Sequence, residues 1–239
     1  MLYQFAGAPV SQSLPMYLQI SERLIREIAA GTLADGARLP PEREMALQLG
    51  ASVGTVRKAL ADLEAKGLLS RVQGSGNYVR QRPDVTSIYG FFRLETPSGG
   101  GLPTADNLDA GPHPRPDIAP DDWPDSLVWR LRRLRRLDGA PVAVEEIWLA
   151  PPHRLSLRDA GPSLYRAYRE RLGLIVTRVE DRIGLGAAPD WMPKGTGLAP
   201  GDPAPLVTRR AFAGGAQIEV SRTWVDPDRA AYVSRVGKG

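Results

Sequence analysis

The sequence predicts an α+β fold in two parts, on the strength of three observations. Apolar residues recur at helical spacing in three segments between residues 15 and 67. Two short β-rich runs around a glycine-rich turn follow, at residues 68–80. From residue 88 onward strand-like runs dominate, with one clear helix among them. We therefore expect a small helical domain that ends in a hairpin, joined to a domain with a mainly antiparallel sheet.

Three helices are predicted in the first part. The first covers residues 15–31, and its inward face repeats at helical spacing as Tyr17, Ile20, Leu24 and Ile28. A short second helix covers residues 41–50 and stops at a glycine. Ser52 then offers an N-cap hydroxyl to a third helix, residues 55–67. The core of this domain spans residues 14–80 within a domain of residues 1–80, and a polar linker follows at 81–87.

A short helix, a tight turn and a basic third helix follow the arrangement of a helix-turn-helix. Such a third helix lies in the major groove, and Arg57 has the fork that matches guanine. The glycines of the hairpin tip would let the backbone approach a neighbouring groove. The alternative is a helical bundle whose third helix has a solvated basic face. The DNA-contacting candidates are Arg43, Ser52, Thr55, Arg57, Lys58, Gln73, Gly74 and Ser75.

Residues 15–80 resemble the winged helix-turn-helix of GntR-family bacterial transcription regulators. The matching stretches are Pro15-Met16-Tyr17, Gly31-Thr32-Leu33, 39–50, 55–69 and 73–79. The resemblance implies binding to double-stranded operator DNA in the bacterial cytoplasm. Three positions depart from the family pattern: Pro41 in place of serine, Val53 in place of arginine and Asn77 in place of threonine. The valine implies a different or narrower readout of bases.

The second part, residues 88–239, is expected to be sheet with one helix at 163–173. Residues 96–125 carry most of the glycine and proline and are predicted to be loop. The strand-like runs are residues 88–94, 126–137, 141–150, 174–185, 204–214 and 216–225.

The run at 127–137 places two arginines on a strand face that is otherwise apolar. Arg133 and Arg135 share that face, while the alternate face is expected to be solvated. A buried guanidinium needs a partner, which an anionic ligand or Glu145 would supply. A two-residue turn would set Glu145 on the outer face, and a three-residue turn with a bulge would bring it beside the arginines. The alternative is an arginine-rich surface strand, or one that wraps a dimer partner.

The second part resembles the UTRA ligand-sensing domain of HutC-type GntR regulators, which has a chorismate-lyase-like fold. The resemblance rests on residues 133–149, 163–165, 206–212 and 214–229. It implies the three-residue turn and a set of effector-pocket residues: Arg133, Arg135, Glu145, Ser163, Tyr165 and Glu219. Ser163 would also suit a helix N-cap, and Glu219 a solvated strand position. The glycine-rich stretch 93–108 lacks the hydroxyl-rich segment of sugar-phosphate binders, so a carboxylate is as plausible a ligand as a phosphate.

Composition excludes several classes of function. The 239-residue chain has no cysteine, which excludes thiolate metal sites and cysteine nucleophiles, and its two histidines leave little material for a metal centre or a Ser-His-Asp triad. We expect no metal, no cofactor and no catalytic residue. No apolar run approaches the roughly 18 residues of a membrane helix, and no membrane partner is expected. A net charge of +4 with a pI of about 9.6 is consistent with nucleic acid.

The sequence therefore predicts a sequence-specific transcriptional regulator, usually a repressor in this family. It would bind a palindromic operator as a homodimer and respond to a small anionic metabolite. An effector-independent DNA-binding dimer is the alternative. The least favoured alternative is a chorismate-lyase-like enzyme. It is considered because the sensor domain resembles the fold of that enzyme, but fold alone does not imply function.

Overall fold

A computed structural model describes residues 15–29, 31, 33–80, 91–161 and 163–235. Contacts divide the described residues into a helical unit, made of those between 15 and 102 together with 232–235, and a sheet unit, made of those between 103 and 231. The predicted linker at 81–87 lies outside the described residues. The contacts of residues 91–102 fall with the helical unit, whereas the sequence prediction assigned them to the second domain.

The helical unit has the predicted order of elements. They are α1 (Met16–Ala29), α2 (Glu42–Gln48), α3 (Val53–Ala65), β1 (Leu69–Val72) and β2 (Gly76–Val79). Its core lies between α1 and α3, where Val56, Leu60 and Leu63 have no solvent exposure. The hairpin of β1 and β2 forms the wing. The two-residue strands β3 (Leu94–Glu95) and β10 (Ala231–Tyr232) form a separate pair.

Helix α3 begins directly after an N-cap serine. Ser52 lies at the N-cap, and its side-chain oxygen accepts the backbone N–H of Thr55 at 3.1 Å. The predicted cap is therefore confirmed, and the helix starts two residues earlier than the pattern indicated. Gly50, with φ +59°, makes the tight turn that precedes it.

The sheet unit is built on six antiparallel strands. They are β4 (Pro103–Pro114), β5 (Leu127–Leu137), β6 (Ala140–Leu149), β7 (Arg178–Ala187), β8 (Pro203–Ala213) and β9 (Ala216–Val225). Their order across the sheet is β4-β5-β6-β9-β8-β7, so β4 and β7 are the edges. The run predicted at 174–185 begins only at Arg178. Of the run predicted at 88–94, the described part contributes only Leu94 to a strand.

Two sequence predictions for this unit are wrong. Residues 103–114, expected to be loop, form the long strand β4. Proline removes a ladder hydrogen bond but is tolerated at an edge, which is where β4 lies. The alternate face of β5 is also not solvated, since Val128 is 2% exposed and Leu134 5%. The tryptophans that cover that face are Trp123, Trp148 and Trp224.

The opposite face of the sheet is covered by short helices. Helix α4 (Leu157–Ala160) and helix α5 (Leu164–Ala167) pack there, and a π-helical turn, Tyr168–Leu172, continues α5. The helix predicted at 163–173 is thus present, with a widened second half. None of the described helices is long and apolar enough to cross a membrane.

Candidate functional site

The predicted DNA-contacting residues lie at the start of α3, on α2 and at the wing. Ser52 is exposed, Thr55 is half-buried and their side-chain oxygens lie 2.8 Å apart. Arg43 is exposed on α2. Lys58 is exposed with its ammonium 4.1 Å from the centre of the Tyr17 ring.

The tip of the wing is open to solvent. Gln73 and Gly74 are exposed, and the Oγ of Ser75 lies 2.6 Å from the hydroxyl of Tyr78. A groove of about 510 Å³ runs between this tip and the start of α2. The structure therefore brings the wing candidates near α2, where Arg43 lies.

Arg57 is held by a residue that the sequence reasoning missed. Its Nε and Nη2 donate to one carboxylate oxygen of Glu42, at 3.1 and 3.0 Å. The pair connects α3 to the first residue of α2, and the arginine side chain is still 62% exposed. A guanine contact by Arg57 would have to use its remaining N–H groups.

Val53 has a structural explanation. Its side chain packs against the hydrophobic core of the helical unit, beside residues such as Val56. The position that commonly carries arginine in the resembled family is here used for packing, so this chain has one cation fewer at the start of α3.

The turn between β5 and β6 decides where Glu145 lies. Leu137 pairs with Ala140 across a two-residue turn, Asp138 (φ 47°) and Gly139 (φ 82°), so the predicted three-residue turn is wrong. The extra residue lies instead in a bulge of β6: Arg136 pairs with Pro141 and Arg135 with Ala143, so the register shifts by one residue between them. Glu145 consequently lies directly opposite Arg133.

The two arginines of β5 that were predicted to line the effector pocket have different surroundings. Arg133 is 1% exposed, and it donates from Nε to Asn107 Oδ1 and from Nη2 to the carbonyl oxygen of Gly161, both at 2.9 Å. It therefore fixes β4 and the approach to α5. Arg135 is 4% exposed and its Nη1 lies 3.6 Å from Glu145 Oε2.

Glu219 on β9 is buried rather than solvated. It is 2% exposed, and it accepts hydrogen bonds from the Tyr168 hydroxyl at 2.5 Å and from Ser221 Oγ at 3.3 Å. Burial raises the pKa of Glu219 to about 7, and the charge of Glu145 adds to the rise. The Tyr168 hydroxyl, the charge of Arg209 and Ser221 act in the opposite direction.

Tyr165 and Arg209 form a second polar link between α5 and the sheet. Arg209 donates two hydrogen bonds to Asp181, both at 2.6 Å, and also donates to the Tyr165 hydroxyl. Burial raises the pKa of Tyr165 well above its ordinary value, so its hydroxyl stays protonated. Ser163 is buried at the N-cap position of α5 but makes no side-chain capping hydrogen bond.

One face of the sheet thus collects the polar groups that the sequence singled out. Registers place Arg133, Glu145 and Thr223 in one row, with Ser221, Arg209 and Asp181 in the adjacent row. The sequence reasoning missed the other residues of this polar group: Asn107, Tyr168, Asp181, Arg209, Ser221 and Thr223. Spacing could have indicated two of them, since Tyr168 is three residues after Tyr165 on a helix and Ser221 two residues after Glu219 on a strand.

This chemistry suits binding of a polar small molecule. Guanidinium groups recognise anions, whereas a carboxylate with a pKa near neutrality can accept or donate a hydrogen bond to a hydroxyl. No group of three or more histidine, aspartate or glutamate side chains in the described ranges is placed to hold a metal ion.

Comparisons with known proteins agree with both units. The family model described as bacterial regulatory proteins, gntR family, matches residues 16–79, and the UTRA domain model matches residues 123–231. The chain is 50% identical to the HTH-type transcriptional regulator SmoD of Agrobacterium fabrum, over 94% of this chain and 97% of that protein.

Two further relatives extend the comparison. The mannosyl-D-glycerate transport/metabolism system repressor MngR of Escherichia coli is 31% identical, over 71% of this chain and 73% of that protein. The crystal structure of the possible transcriptional regulator YydK of Bacillus subtilis shares the fold, with a TM-score of 0.50, 19% identity and coverage of 94% of this chain and all of that one. The chain belongs to the GntR family of bacterial transcriptional regulators, which are not enzymes, and it carries a C-terminal UTRA domain.

Proposed function

We propose that this regulator is a homodimeric repressor that binds a palindromic operator and is controlled by a small anionic metabolite. The observation that carries the proposal is the polar sheet face beneath α5, where buried arginines and carboxylates lie side by side. Burial of so many charged groups is costly unless each has a partner. A polar ligand bound on this face would exchange hydrogen bonds and ion pairs with these groups, and their fixed arrangement would make the binding selective.

Each of the effector-pocket candidates has a proposed role. Arg135 binds the anionic group of the ligand, and Glu145 and Glu219 bind its hydroxyl or amine groups. Ser163 and Tyr165 add hydroxyl contacts from α5. Arg133, already engaged with Asn107 and Gly161, positions the strand that carries Arg135.

The ligand we favour is an anion that also carries hydroxyl groups. The polar face offers both guanidinium and carboxylate groups, which match an acid and its hydroxyls respectively. The name of the Escherichia coli relative refers to mannosyl-D-glycerate, a compound that combines a sugar with a carboxylate. A sugar phosphate and a sugar acid both remain within this class, and the screen below separates them.

A thermal-shift screen tests the effector proposal. The panel contains sugar phosphates, sugar acids, amino acids, other catabolic acids and phosphonates, tested on the wild type and on Arg135→Ala. Arg136→Ala is the matched control, because Arg136 belongs to the same strand but pairs with Asp106 at 2.8 Å on the opposite face. One anion class should stabilise the wild type and the control but not Arg135→Ala. A ligand at 100 times its dissociation constant adds about 2.7 kcal/mol.

The opposite result would favour a different function. If no compound stabilises any of the three proteins, the effector proposal fails and an effector-independent DNA-binding dimer is preferred. If Arg135→Ala responds as the wild type does, the ligand binds elsewhere.

The operator proposal assigns DNA contacts to residues of α2, α3 and the wing: Arg43, Ser52, Thr55, Arg57, Lys58, Gln73, Gly74 and Ser75. Selection of duplexes by the full-length protein from a random-sequence pool should return two inverted half-sites, with centres about 34 Å or a multiple of it apart. Recovery of no preferred sequence would contradict sequence-specific binding. Addition of the identified metabolite should weaken binding to the selected duplex, as expected for a repressor.

A further inference from the structure

We propose that Arg38, a residue outside the helix-turn-helix and the wing tip, binds a phosphate of the DNA backbone. Its site is the groove between the wing and the start of α2. The inference rests on the proposed operator binding and adds to it a contact that does not depend on base sequence.

Arg38 belongs structurally to the wing. The Leu39 N–H donates to the Asn77 carbonyl and the Val79 N–H donates to the Ala37 carbonyl, both at 2.9 Å. Arg38 itself pairs with Tyr78 in an antiparallel bridge. The segment before α2 therefore forms a short third strand beside β2, so the backbone of Arg38 is fixed relative to the wing.

The side chain of Arg38 lies against the glycine that begins β2. A Cβ on Gly76 would lie 3.1 Å from the Arg38 Nε and 3.6 Å from its Nη2. The absence of a side chain at Gly76 thus makes room for the guanidinium beside the wing tip.

Arg38 also differs from Arg57 and Arg71 in having an uncommitted charge. Arg57 pairs with Glu42, and Arg71 pairs with Glu64, both at 3.0 Å. Among the residues that the structure describes, Arg38 is exposed and forms no ion pair or side-chain hydrogen bond. Its five N–H donors are available to an incoming group.

The groove that Arg38 lines is suited to a sugar–phosphate backbone. It has a volume of about 510 Å³ and is bounded by residues 38–42 and 71–77, which include the glycines of the wing tip. Glycines let another backbone approach closely, and guanidinium groups bind phosphate oxygens in a bidentate manner. The carboxylate of Glu42 lines the same groove, but its charge is compensated by Arg57.

The proposed contact also agrees with the number of cations that the helical unit offers to DNA. Val53 contributes to the core where the resembled family commonly has an arginine, so α3 begins without that cation. Phosphate contacts position a protein on the duplex, and Arg38 supplies one from the wing side.

The test measures how DNA affinity depends on salt for full-length Arg38→Ala, Arg38→Lys and wild-type protein. One probe is a duplex of random sequence, and the other is a duplex selected by the wild type. Loss of one phosphate contact should reduce the slope of log K against log [salt] by about 0.9 in Arg38→Ala. Both probes should be weakened by the same factor, because a phosphate carries no sequence information. Arg38→Lys should keep the slope, since it keeps the charge.

Arg23→Ala is the matched control, because Arg23 is an exposed cation of the same unit that pairs with Glu27 and does not line the groove. It should leave the slope unchanged. An unchanged slope in Arg38→Ala would overturn the inference, and weakening of the selected duplex alone would overturn it in favour of a base contact. Failure of the wild type to bind either duplex would instead overturn the proposed operator binding, and the Arg38 site with it. Matching thermal unfolding of all four proteins ensures that folding does not account for the result.

Discussion

At the scale of single residues, Glu219 is the group whose charge depends most on its surroundings. Burial raises its pKa from an ordinary 4.5 to about 7, with a further contribution from Glu145. The folded state therefore binds a proton more tightly than the unfolded state does. Between about pH 4.5 and pH 7 the unfolded chain releases that proton first, so the free energy of unfolding falls as pH rises.

Glu219→Gln removes this dependence while keeping an acceptor for the Tyr168 hydroxyl. Relative to the wild type, the variant should gain about 3 kcal/mol of unfolding free energy between about pH 4.5 and pH 8, from 1.36 kcal/mol per pKa unit. Urea titrations at several pH values measure this difference. Glu180→Gln, at an exposed carboxylate of β7, is the control for the same substitution outside the buried face. Parallel pH profiles for Glu219→Gln and the wild type would contradict the assignment.

Sequence reasoning at this scale identified residue types better than their surroundings. Arg133 and Arg135 are equivalent in an alternating pattern, yet one is hydrogen-bonded to Asn107 and Gly161 and the other lies near Glu145. The partners of Arg133 come from strand β4 and from a loop, 26 and 28 residues away in the sequence. No local pattern could therefore separate the two arginines. The effector-binding role of either arginine remains a prediction.

At the scale of elements, the N-cap residue of α3, Ser52, is both a helix cap and a proposed DNA contact. Ser52→Ala removes the acceptor of the Thr55 N–H and should cost about 1 kcal/mol of unfolding free energy. Ser52→Asp keeps a cap acceptor and should retain most of that stability. Its negative charge at the start of the helix that we propose enters the major groove should nevertheless weaken DNA binding. Urea unfolding and DNA titration together separate the two effects, and an undiminished stability of Ser52→Ala would contradict the role of the cap.

Helices and strands could be predicted where the apolar residues follow one clear period. A strand that is rich in proline and glycine could not, because that composition is typical of loops. Helical spacing predicted α1 and α3, and alternation predicted β5, β6, β8 and β9 within a few residues. Strand β4 was missed because its prolines and glycine resemble loop, and only its place at a sheet edge makes them acceptable. The solvated face expected for β5 was wrong because Trp123, Trp148 and Trp224 cover it, and tertiary packing of this kind leaves no signal within β5 itself.

At the scale of the whole molecule, a homodimer requires a surface through which two copies associate. Strand β7 is an edge of the six-stranded sheet, and no strand of the described ranges pairs with its outer side. On this strand Ile183 is 58% exposed and Leu185 80%. An antiparallel edge is complementary to its own copy related by a two-fold axis, so two β7 strands can pair and bury these side chains together.

We predict that Leu185→Lys shifts the proposed dimer towards monomer, because a lysine at the proposed interface would have to lose its hydration. Sedimentation velocity over a range of concentrations should show a dimer dissociation constant raised at least about tenfold, which corresponds to 1.4 kcal/mol. Leu127→Lys is the matched control, since Leu127 is 61% exposed but lies at the end of β5, away from the β7 edge. A palindromic operator is bound by the helix-turn-helix units of both copies. Leu185→Lys should therefore lose affinity for the full palindrome, while its affinity for a half-site should equal that of the wild type. Equal dissociation constants for the two lysine variants would place the dimer interface on another surface.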